Sequence, residues 1–262
     1  MPADRSLESQ EKGPAPGQRT KSARDKALVG RAWAVHLYTA TGLVVGFLSL
    51  IYITNGQARE TFLLSLLALM IDGTDGFMAR KFRVTVHVPA FDGRKLDDIT
   101  DFINYVLVPC FFAYHFKLVN QDHWGVMAVV LLASGYGFCM EHAKTNDGFF
   151  TGFPSYWNVM IVYMYALRYA TVVNEAVLLI FSILVFVPIK YLYPSKTKPL
   201  RWITLPLSAI WFAAIIALIF QIDDPNPVLL YGSLSYAVYY FLASFYLHAI
   251  GHHRVEVSPV SH

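Results

Sequence analysis

The stretch "FLLSLLALMIDGTDGFMAR", residues 62–80, decides the fold class, because an apolar run passes directly into a pair of carboxylates. The hydrocarbon core of a bilayer is crossed by about 20 apolar residues in a helix. Asp72 and Asp75 end this run, and Asp97 and Asp101 repeat the pair where the next apolar run begins. Carboxylates are expensive near lipid, so two such pairs indicate a functional site.

The composition of the whole chain indicates an integral membrane protein. Of its 262 residues, 55% are hydrophobic and 15% are charged, and the mean hydropathy is +0.43. A soluble domain has a charged share of about 25%. The formal net charge is only +3, so nothing in the charge balance indicates a nucleic-acid partner.

Three segments follow from the distribution of apolar residues. Residues 1–34 are predicted to form a polar cytoplasmic tail that is partly disordered, because large apolar side chains are almost absent there. Residues 35–250 are predicted to form the membrane-embedded domain. Residues 251–262 are predicted to form a short cytoplasmic C-terminal tail.

The membrane domain is predicted to be all-α and polytopic, with about eight transmembrane helices. Each spanning segment must be a helix, because lipid offers no partner for unpaired backbone groups. The predicted spans are residues 35–54, 60–80, 96–116, 124–142, 155–171, 174–193, 201–221 and 228–248. The motif "GLVVG", residues 42–46, has the small-xxx-small spacing of close helix pairs, and we expect it to pack within the same subunit.

The basic residues predict the orientation of these spans. With the N-terminus in the cytoplasm, 18 of the 21 Lys and Arg residues lie on the cytoplasmic side. Arg59 and Lys117 lie outside, and Arg168 lies within a span. Cytoplasmic loops carry an excess of Lys and Arg, so both termini are predicted to be cytoplasmic. The aspartates then lie at the cytoplasmic ends of the second and third spans.

The residues beside the first pair of acids suit a bound phosphate group. Successive helical residues are about 100° apart, so Asp72, Asp75 and Gly76 share one arc with Ala79, and Arg80 lies at its edge. The small residues leave room beside the carboxylates. The guanidinium of the arginine is a planar fork that matches phosphate oxygens.

The second pair is predicted to complete a metal site. Asp97 and Asp101 are four residues apart and share a helix face, with Gly93 one turn before them. Like charges held close together repel, and hard divalent cations such as Mg²⁺ or Mn²⁺ relieve the repulsion. We therefore predict a site for a metal-bridged nucleotide diphosphate. The alternative interpretation is that these acids only cap helices and form salt bridges.

At these positions the chain resembles the CDP-alcohol phosphotransferase family. The family signature is D-x-x-D-G-x-x-A-R, a variable gap, and then G-x-x-x-D-x-x-x-D. Every fixed position matches, and the matching residues are Asp72, Asp75, Gly76, Ala79, Arg80, Gly93, Asp97 and Asp101. The direct match covers residues 72–101.

Other segments resemble the bacterial phosphatidylcholine synthase branch of this family. The twelve-residue insert "KFRVTVHVPAFD", residues 81–92, is longer than the corresponding gap in most members. The segment "NDGFFTGFPSYWN", residues 146–158, also resembles that branch. So does the predicted number of eight spans, because many members have six. The resemblance then covers most of the chain beyond the N-terminal tail.

The resemblance implies a reaction and its cofactors. The phosphatidyl group of CDP-diacylglycerol would pass to choline, with release of CMP. The four aspartates would hold two divalent cations, Mn²⁺ or Mg²⁺, against the diphosphate. Asp101 would also act as the general base for the choline hydroxyl. The resemblance further implies a homodimer in a bacterial inner membrane.

The resemblance also assigns residues to the CDP moiety. Gly76, Ala79, Arg80 and Gly93 match positions that contact CDP or make room for it. Relatives often carry P-N-x-x-T near the start of the first span, where this chain has "AVHLYTATG". His36 and Thr39 are therefore expected in the CDP site. The alternative for His36 is a polar side chain at the membrane interface.

The choline site is predicted from the chemistry of the ligand. A quaternary ammonium has no N–H to donate, so aromatic faces and negative charge are expected to hold it. The residues assigned to this site are Tyr105, Glu141, Tyr156, Trp157 and Asn158. The alternative for each aromatic residue is anchoring at the membrane interface, where Trp and Tyr are enriched. The alternative for Glu141 is a surface position.

Two competing functions are considered. A phosphorylated acceptor, such as glycerol 3-phosphate, would need additional basic residues, whereas Lys144 is the only one in the loop between the fourth and fifth spans. Serine as acceptor has no such requirement and stays open. A divalent-cation channel would place its acids near the bilayer midplane, and it would leave the glycines and the arginine of the signature unexplained.

Overall fold

The chain is described over residues 16–140, 145, 147–194 and 196–250 in a computed structural model, with side chains from Asp25 onward, and this part forms ten α-helices and two short strands. The helices are α1 (Pro16–Thr54), α2 (Ala58–Lys81), α3 (Val84–His87), α4 (Gly93–Phe102), α5 (Val108–His115), α6 (Gly125–Cys139), α7 (Trp157–Leu167), α8 (Thr171–Phe186), α9 (Arg201–Phe220) and α10 (Pro227–Ile250). The strands are β1 (Phe149–Thr151) and β2 (Lys190–Leu192). A π-helical turn, Ile103–Leu107, joins α4 to α5.

The predicted all-α architecture is confirmed. Each of the eight predicted spans contains a helix. Four of these helices are long and apolar enough to cross a membrane, namely α1 from Asp25 onward, α2, α9 and α10, and α7 and α8 are shorter apolar helices. That all eight segments cross a bilayer stays a prediction.

The first helix begins well before the predicted first span. α1 starts at Pro16, so the described part of the predicted N-terminal tail is helical. Ala32 and Val35 of α1 are buried against Val84 and Val88 of the twelve-residue insert, which folds into the short helix α3. The insert therefore packs against α1 just before the predicted first span. Residues 1–15 and the predicted C-terminal tail, 251–262, lie outside the described part.

The predicted sixth span is wrong at its end. Helix α8 stops at Phe186, and the chain then forms β2, which pairs antiparallel with β1 so that Tyr191 lies opposite Phe150. Pro188 explains the change, because a proline favours an extended conformation in the residue before it and has no N–H for a helix. Val187 is accordingly extended.

Strand β2 is attached to the last helix by three hydrogen bonds. The N–H of Leu192 donates to Ser244 Oγ at 3.0 Å, and its carbonyl accepts from the Tyr240 hydroxyl at 3.0 Å. The N–H of Lys190 donates to His248 Nδ1 at 3.2 Å. Through β2, the loop that carries β1 is therefore held in place by α10.

Close packing brings α1 against the helix that carries the second pair of acids. A Cβ on Gly46 would lie 2.6 Å from Ile103 Cγ2, and a Cβ on Gly42 would overlap Thr100 Cγ2. The amide of Asn104 donates to the carbonyl of Gly42 at 2.9 Å. The motif "GLVVG" thus packs within the chain, as predicted.

Replacing Gly46 with alanine is expected to destabilise this contact by about 1–3 kcal/mol, because extra atoms in a tightly packed region force side chains or backbone to shift. Gly30 is the matched control on the same helix, since a Cβ there meets nothing within 4 Å. Gly30→Ala should leave stability unchanged or raise it by up to ~1 kcal/mol. Unfolding of both variants in detergent micelles gives the comparison, and equal stabilities would contradict the packing.

Candidate active site

Three of the four predicted metal-binding aspartates converge. Asp72 on α2 and Asp97 and Asp101 on α4 each offer a carboxylate oxygen, and these oxygens lie within 4.8 Å of one another. All three residues are partly exposed. Asp97 and Asp101 face the same way because they are one helical turn apart. Carboxylate oxygens are the ligands that Mg²⁺ and Mn²⁺ prefer, so this trio fits a divalent cation.

Asp75 lies against α1 and outside the trio. Its carboxylate is buried and accepts a hydrogen bond from Thr39 Oγ1 at 2.9 Å. The residues directly before these two form a second link between the same helices, in which the hydroxyls of Tyr38 and Thr74 share a hydrogen bond of 2.8 Å. The structure thus joins Thr39 to the acid site, although the sequence analysis had placed Thr39 with the CDP moiety and Asp75 with the metal.

The π-helical turn brings Tyr105 to the acids. Its hydroxyl donates a hydrogen bond to Asp72 Oδ2 at 3.0 Å. A π-helical turn contains one residue more than an α-helical turn, and such turns are frequent at functional sites. In the same turn, the amide of Asn104 donates to the carbonyls of Gly42 and Thr100. Tyr105 therefore borders the trio, and its role in binding choline stays a prediction.

Gly93 and His36 lie in direct contact. A Cβ on Gly93 would lie 2.7 Å from His36 Cε1, so only glycine lets α4 begin so close to the imidazole. His36 is buried, and its ring packs against Phe91 and Trp33 at centroid distances of 4.4 and 5.7 Å. Among the described residues, none hydrogen-bonds to His36 Nε2. The role of His36 in the CDP site stays a prediction.

The remaining residues predicted to contact CDP line the end of α2. A Cβ on Gly76 would lie 3.4 Å from a terminal nitrogen of Arg80, so the arginine side chain runs alongside the glycine. Arg80 is exposed, and a guanidinium matches the oxygens of a phosphate. Ala79 is half-buried and packs with the residues of the insert.

The predicted choline residues that the structure describes lie in different surroundings. The Tyr156 hydroxyl interacts electrostatically with Asp72, with Tyr193 and with Tyr240 of α10. Trp157 is buried in the core, and its indole N–H donates to Ser134 Oγ at 2.8 Å. The side-chain oxygen of Asn158 is buried and meets no donor in the described part of the chain. Glu141 lies outside the described residues.

Tyr193 and Tyr240 were missed by the sequence analysis. Both come from the C-terminal part of the chain, far in sequence from the signature. Tyr240 lies against Tyr156 and Tyr193 against Phe150 because β2 pairs with β1 and is attached to α10. The proline at residue 188, which ends the predicted sixth span early, was the available signal for an extended segment here.

The comparisons with known proteins concern most of the chain. No family model matches it. A phosphatidylcholine synthase of Borreliella burgdorferi is 39% identical over 219 residues, which cover 82% of this chain and 94% of that protein. Proteins of the same name from Legionella pneumophila and Rhizobium meliloti are 34% and 30% identical over 223 and 220 residues, covering 82% and 83% of this chain and 88% and 90% of theirs.

The chain belongs to the phosphatidylcholine synthase family. A matched stretch of 82% of the chain necessarily includes residues 72–101, where the acids lie. Membership confirms the resemblance that the signature, the insert and residues 146–158 indicated. It also confirms the predicted enzyme class, a transferase of phospholipid synthesis.

Proposed function

We propose that the chain transfers the phosphatidyl group of CDP-diacylglycerol to choline and releases CMP. The observation that carries the proposal is the trio of carboxylate oxygens within 4.8 Å, formed by signature residues of a phosphatidylcholine synthase family member. Three carboxylates alone would repel a negatively charged diphosphate. They favour its binding only when divalent cations are bound between them and the phosphates.

The acids would hold the cations in this scheme. Asp72, Asp97 and Asp101 would supply ligands for one divalent cation, Mn²⁺ or Mg²⁺, and Asp75 would join them in a two-cation site. Cations held there would supply positive charge to offset that of the diphosphate and of the departing CMP. Tyr105 orients Asp72 through its hydrogen bond, and Thr39 orients Asp75 in the same way.

The transfer itself needs a base beside the acceptor hydroxyl. The choline oxygen forms a bond to the phosphorus that carries diacylglycerol. The bond from this phosphorus to the bridging diphosphate oxygen breaks, and CMP leaves with the electron pair. Asp101 accepts the hydroxyl proton, which a carboxylate within hydrogen-bonding reach can do.

The CDP moiety would lie along the ends of α1, α2 and α4. His36 Nε2, which has no hydrogen-bond partner among the residues that the structure describes, would contact the nucleotide, and Gly93 allows the close approach of α4. Arg80 would pair with a phosphate beside Gly76. Ala79 would leave space next to them.

The choline ammonium would lie on the aromatic side of the trio. Tyr105 and Tyr156 are the assigned residues that interact with Asp72. Asn158 would offer its side-chain oxygen, which has no hydrogen-bond partner in the described part of the chain, and Glu141 would add a negative charge. Trp157 would act indirectly, because its indole is buried and bonded to Ser134.

The orientation of the protein in the membrane is proposed from the distribution of its Lys and Arg residues. We place eight spans in a bacterial inner membrane, with both termini and the acid trio on the cytoplasmic side, because the Lys and Arg bias favours that orientation. There the site meets both a lipid in the membrane and a water-soluble alcohol. A homodimer is proposed from the family alone.

One assay tests the acceptor. Purified protein with Mn²⁺ or Mg²⁺ and CDP-diacylglycerol is given labelled choline, serine, glycerol 3-phosphate or inositol in parallel. Phosphatidylcholine is expected as the main product, formed together with an equal amount of CMP. A different phospholipid as the main product would overturn the choice of acceptor. Metal flux into liposomes without any product would favour the channel.

A further inference from the structure

Three aromatic rings meet where the twelve-residue insert joins α1. The centroids of the Trp33 and His36 rings of α1 lie 5.1 and 4.4 Å from that of Phe91, a residue of the insert, and 5.7 Å from each other. His36 is buried, whereas Trp33 is 47% exposed and Phe91 is partly exposed. This ring cluster of three residues is therefore accessible at Trp33 and Phe91, neither of which belongs to the signature.

The ring cluster lies one helical turn from the acids. His36 precedes Thr39 by three residues on α1, and Thr39 Oγ1 donates to Asp75 at 2.9 Å. Gly93 precedes Asp97 by four residues on α4, and a Cβ on Gly93 would lie 2.7 Å from His36 Cε1. Each interval is about one turn, or roughly 5 Å along the helix axis. The rings therefore adjoin the acids on the side where α4 begins.

His36 has a buried polar atom without a partner. Only 7% of this residue is exposed, and no residue that the structure describes hydrogen-bonds to its Nε2. The Nε2 atom lies 3.9 Å from the place of a Cβ on Gly93, beside the first residue of α4. A buried polar atom without a hydrogen bond is costly, so this nitrogen points to a ligand that supplies the missing bond.

The Phe91 ring is held in place from both sides. The N–H of Phe91 donates to the carbonyl of Val88 at 3.3 Å, and its own carbonyl accepts from the N–H of Gly93 at 3.1 Å. Its ring packs against the buried apolar side chains that join the insert to α1, as does Ala79 of the signature. The ring is thus arranged before any ligand arrives, which favours binding.

The chemistry of the ring cluster fits a nucleobase. Every base has a π-face, so aromatic side chains stack on it. The edge of cytosine carries hydrogen-bonding groups, including an amino donor, that pair with an imidazole nitrogen. The phosphates of CDP are proposed to lie at the acids, and the base of a nucleotide lies one ribose away from its phosphate. A base next to the acids therefore reaches the ring cluster.

We propose that the cytosine base of CDP-diacylglycerol stacks on Trp33 and Phe91 and that its edge hydrogen-bonds with His36 Nε2. The inference rests on the proposed function, because it names the base-binding surface of the same site. It also gives the twelve-residue insert a role, since the insert supplies Phe91. Trp33 then acts in nucleotide binding and not only as an anchor at the membrane interface, where Trp is enriched.

A comparison of ligands with and without a base tests the proposal. CMP and ribose 5-phosphate share a sugar and a phosphate, so the ratio of their dissociation constants reports the contribution of the base. In titration calorimetry of the purified protein with Mn²⁺, the wild type should bind CMP at least about fivefold more tightly, as expected for a stacked base. Trp33→Leu, His36→Leu and Phe91→Leu should each lower this ratio by weakening CMP, with the affinity for ribose 5-phosphate unchanged.

Phe82→Leu is the matched control. Phe82 belongs to the same insert and packs against the same apolar side chains as Phe91, but it lies outside the ring cluster. This variant should keep the wild-type ratio, and so should Phe91→Tyr, which retains an aromatic ring. In turnover, Phe91→Leu should raise the KM for CDP-diacylglycerol and leave the choline KM unchanged.

Three results would overturn the inference. The first is a wild type that binds CMP no more tightly than ribose 5-phosphate. The second is an unchanged ratio in Phe91→Leu or in Trp33→Leu, as anchoring at the membrane interface alone would give. The third is an equal loss in Phe82→Leu. Failure of the proposed function would instead be seen in the wild type as no phosphatidylcholine from choline, and the binding ratios do not depend on turnover.

Discussion

Asp101→Asn is expected to lower kcat for phosphatidyl transfer by about 10²- to 10⁴-fold, the range that a positioned general base contributes. Asparagine has nearly the shape of aspartate, but its amide cannot accept the hydroxyl proton at neutral pH. Asp98→Asn is the matched control, because it removes the same charge from the same helix at a residue outside the trio. Incorporation of labelled choline at saturating substrates gives both rates.

Mn²⁺ binding separates the two roles proposed for Asp101. If the residue acts chiefly as the base, Asp101→Asn should still bind Mn²⁺ in an electron paramagnetic resonance titration while turnover is lost. If it acts chiefly as a ligand, Mn²⁺ affinity and turnover should fall together. A variant that keeps turnover within tenfold of the wild type would refute the assignment of Asp101 to the reaction.

Asp97→Asn is expected to have opposite effects on stability with and without metal. Without metal it should raise the unfolding temperature, because it removes one of three negative charges whose oxygens lie within 4.8 Å. With Mn²⁺ it should lose most of the stabilisation that the wild type gains, which is about 2.7 kcal/mol at a metal concentration 100 times Kd. Chelation of the metal should abolish turnover in the wild type.

Thermal unfolding in detergent, with EDTA or with Mn²⁺, measures this change of sign. Asp98→Asn again serves as the control and should show the wild-type response to Mn²⁺. The metal site would be refuted if Asp97→Asn were stabilised by Mn²⁺ as strongly as the wild type. It would also be refuted by full turnover in excess EDTA.

The trio could be predicted from the sequence because it depends mostly on helical periodicity. Asp97 and Asp101 are one turn apart on α4, and the twelve-residue insert between the two halves of the signature limits how far Asp72 on α2 can be from them. The small residues of "GLVVG" likewise predicted the close contact of α1, since small side chains allow backbones to approach. In these cases local spacing determines the contact.

Contacts between distant segments could not be predicted in the same way. The pairing of β1 with β2 joins residues about 40 positions apart, and nothing in the local pattern of either strand identifies its partner. Trp157 matches the composition of an ammonium site, yet its N–H is bonded to Ser134 on another helix. An aromatic residue at this point of the sequence is compatible with an ammonium site and with a buried position in the core. Only the packing of α6 against its neighbours decides between the two.

The π-helical turn at Ile103–Leu107 sets the angle between the face of α4 that carries the acids and the face of α5 that packs against its neighbours. One extra residue in a turn changes the angular phase of everything that follows by about 100°. Removing a single residue there would therefore turn the acids of the trio away from α2 or the apolar side chains of α5 away from their neighbours. We therefore expect α4 and α5 each to accept substitutions separately, whereas a deletion or insertion between them would displace one of these two faces.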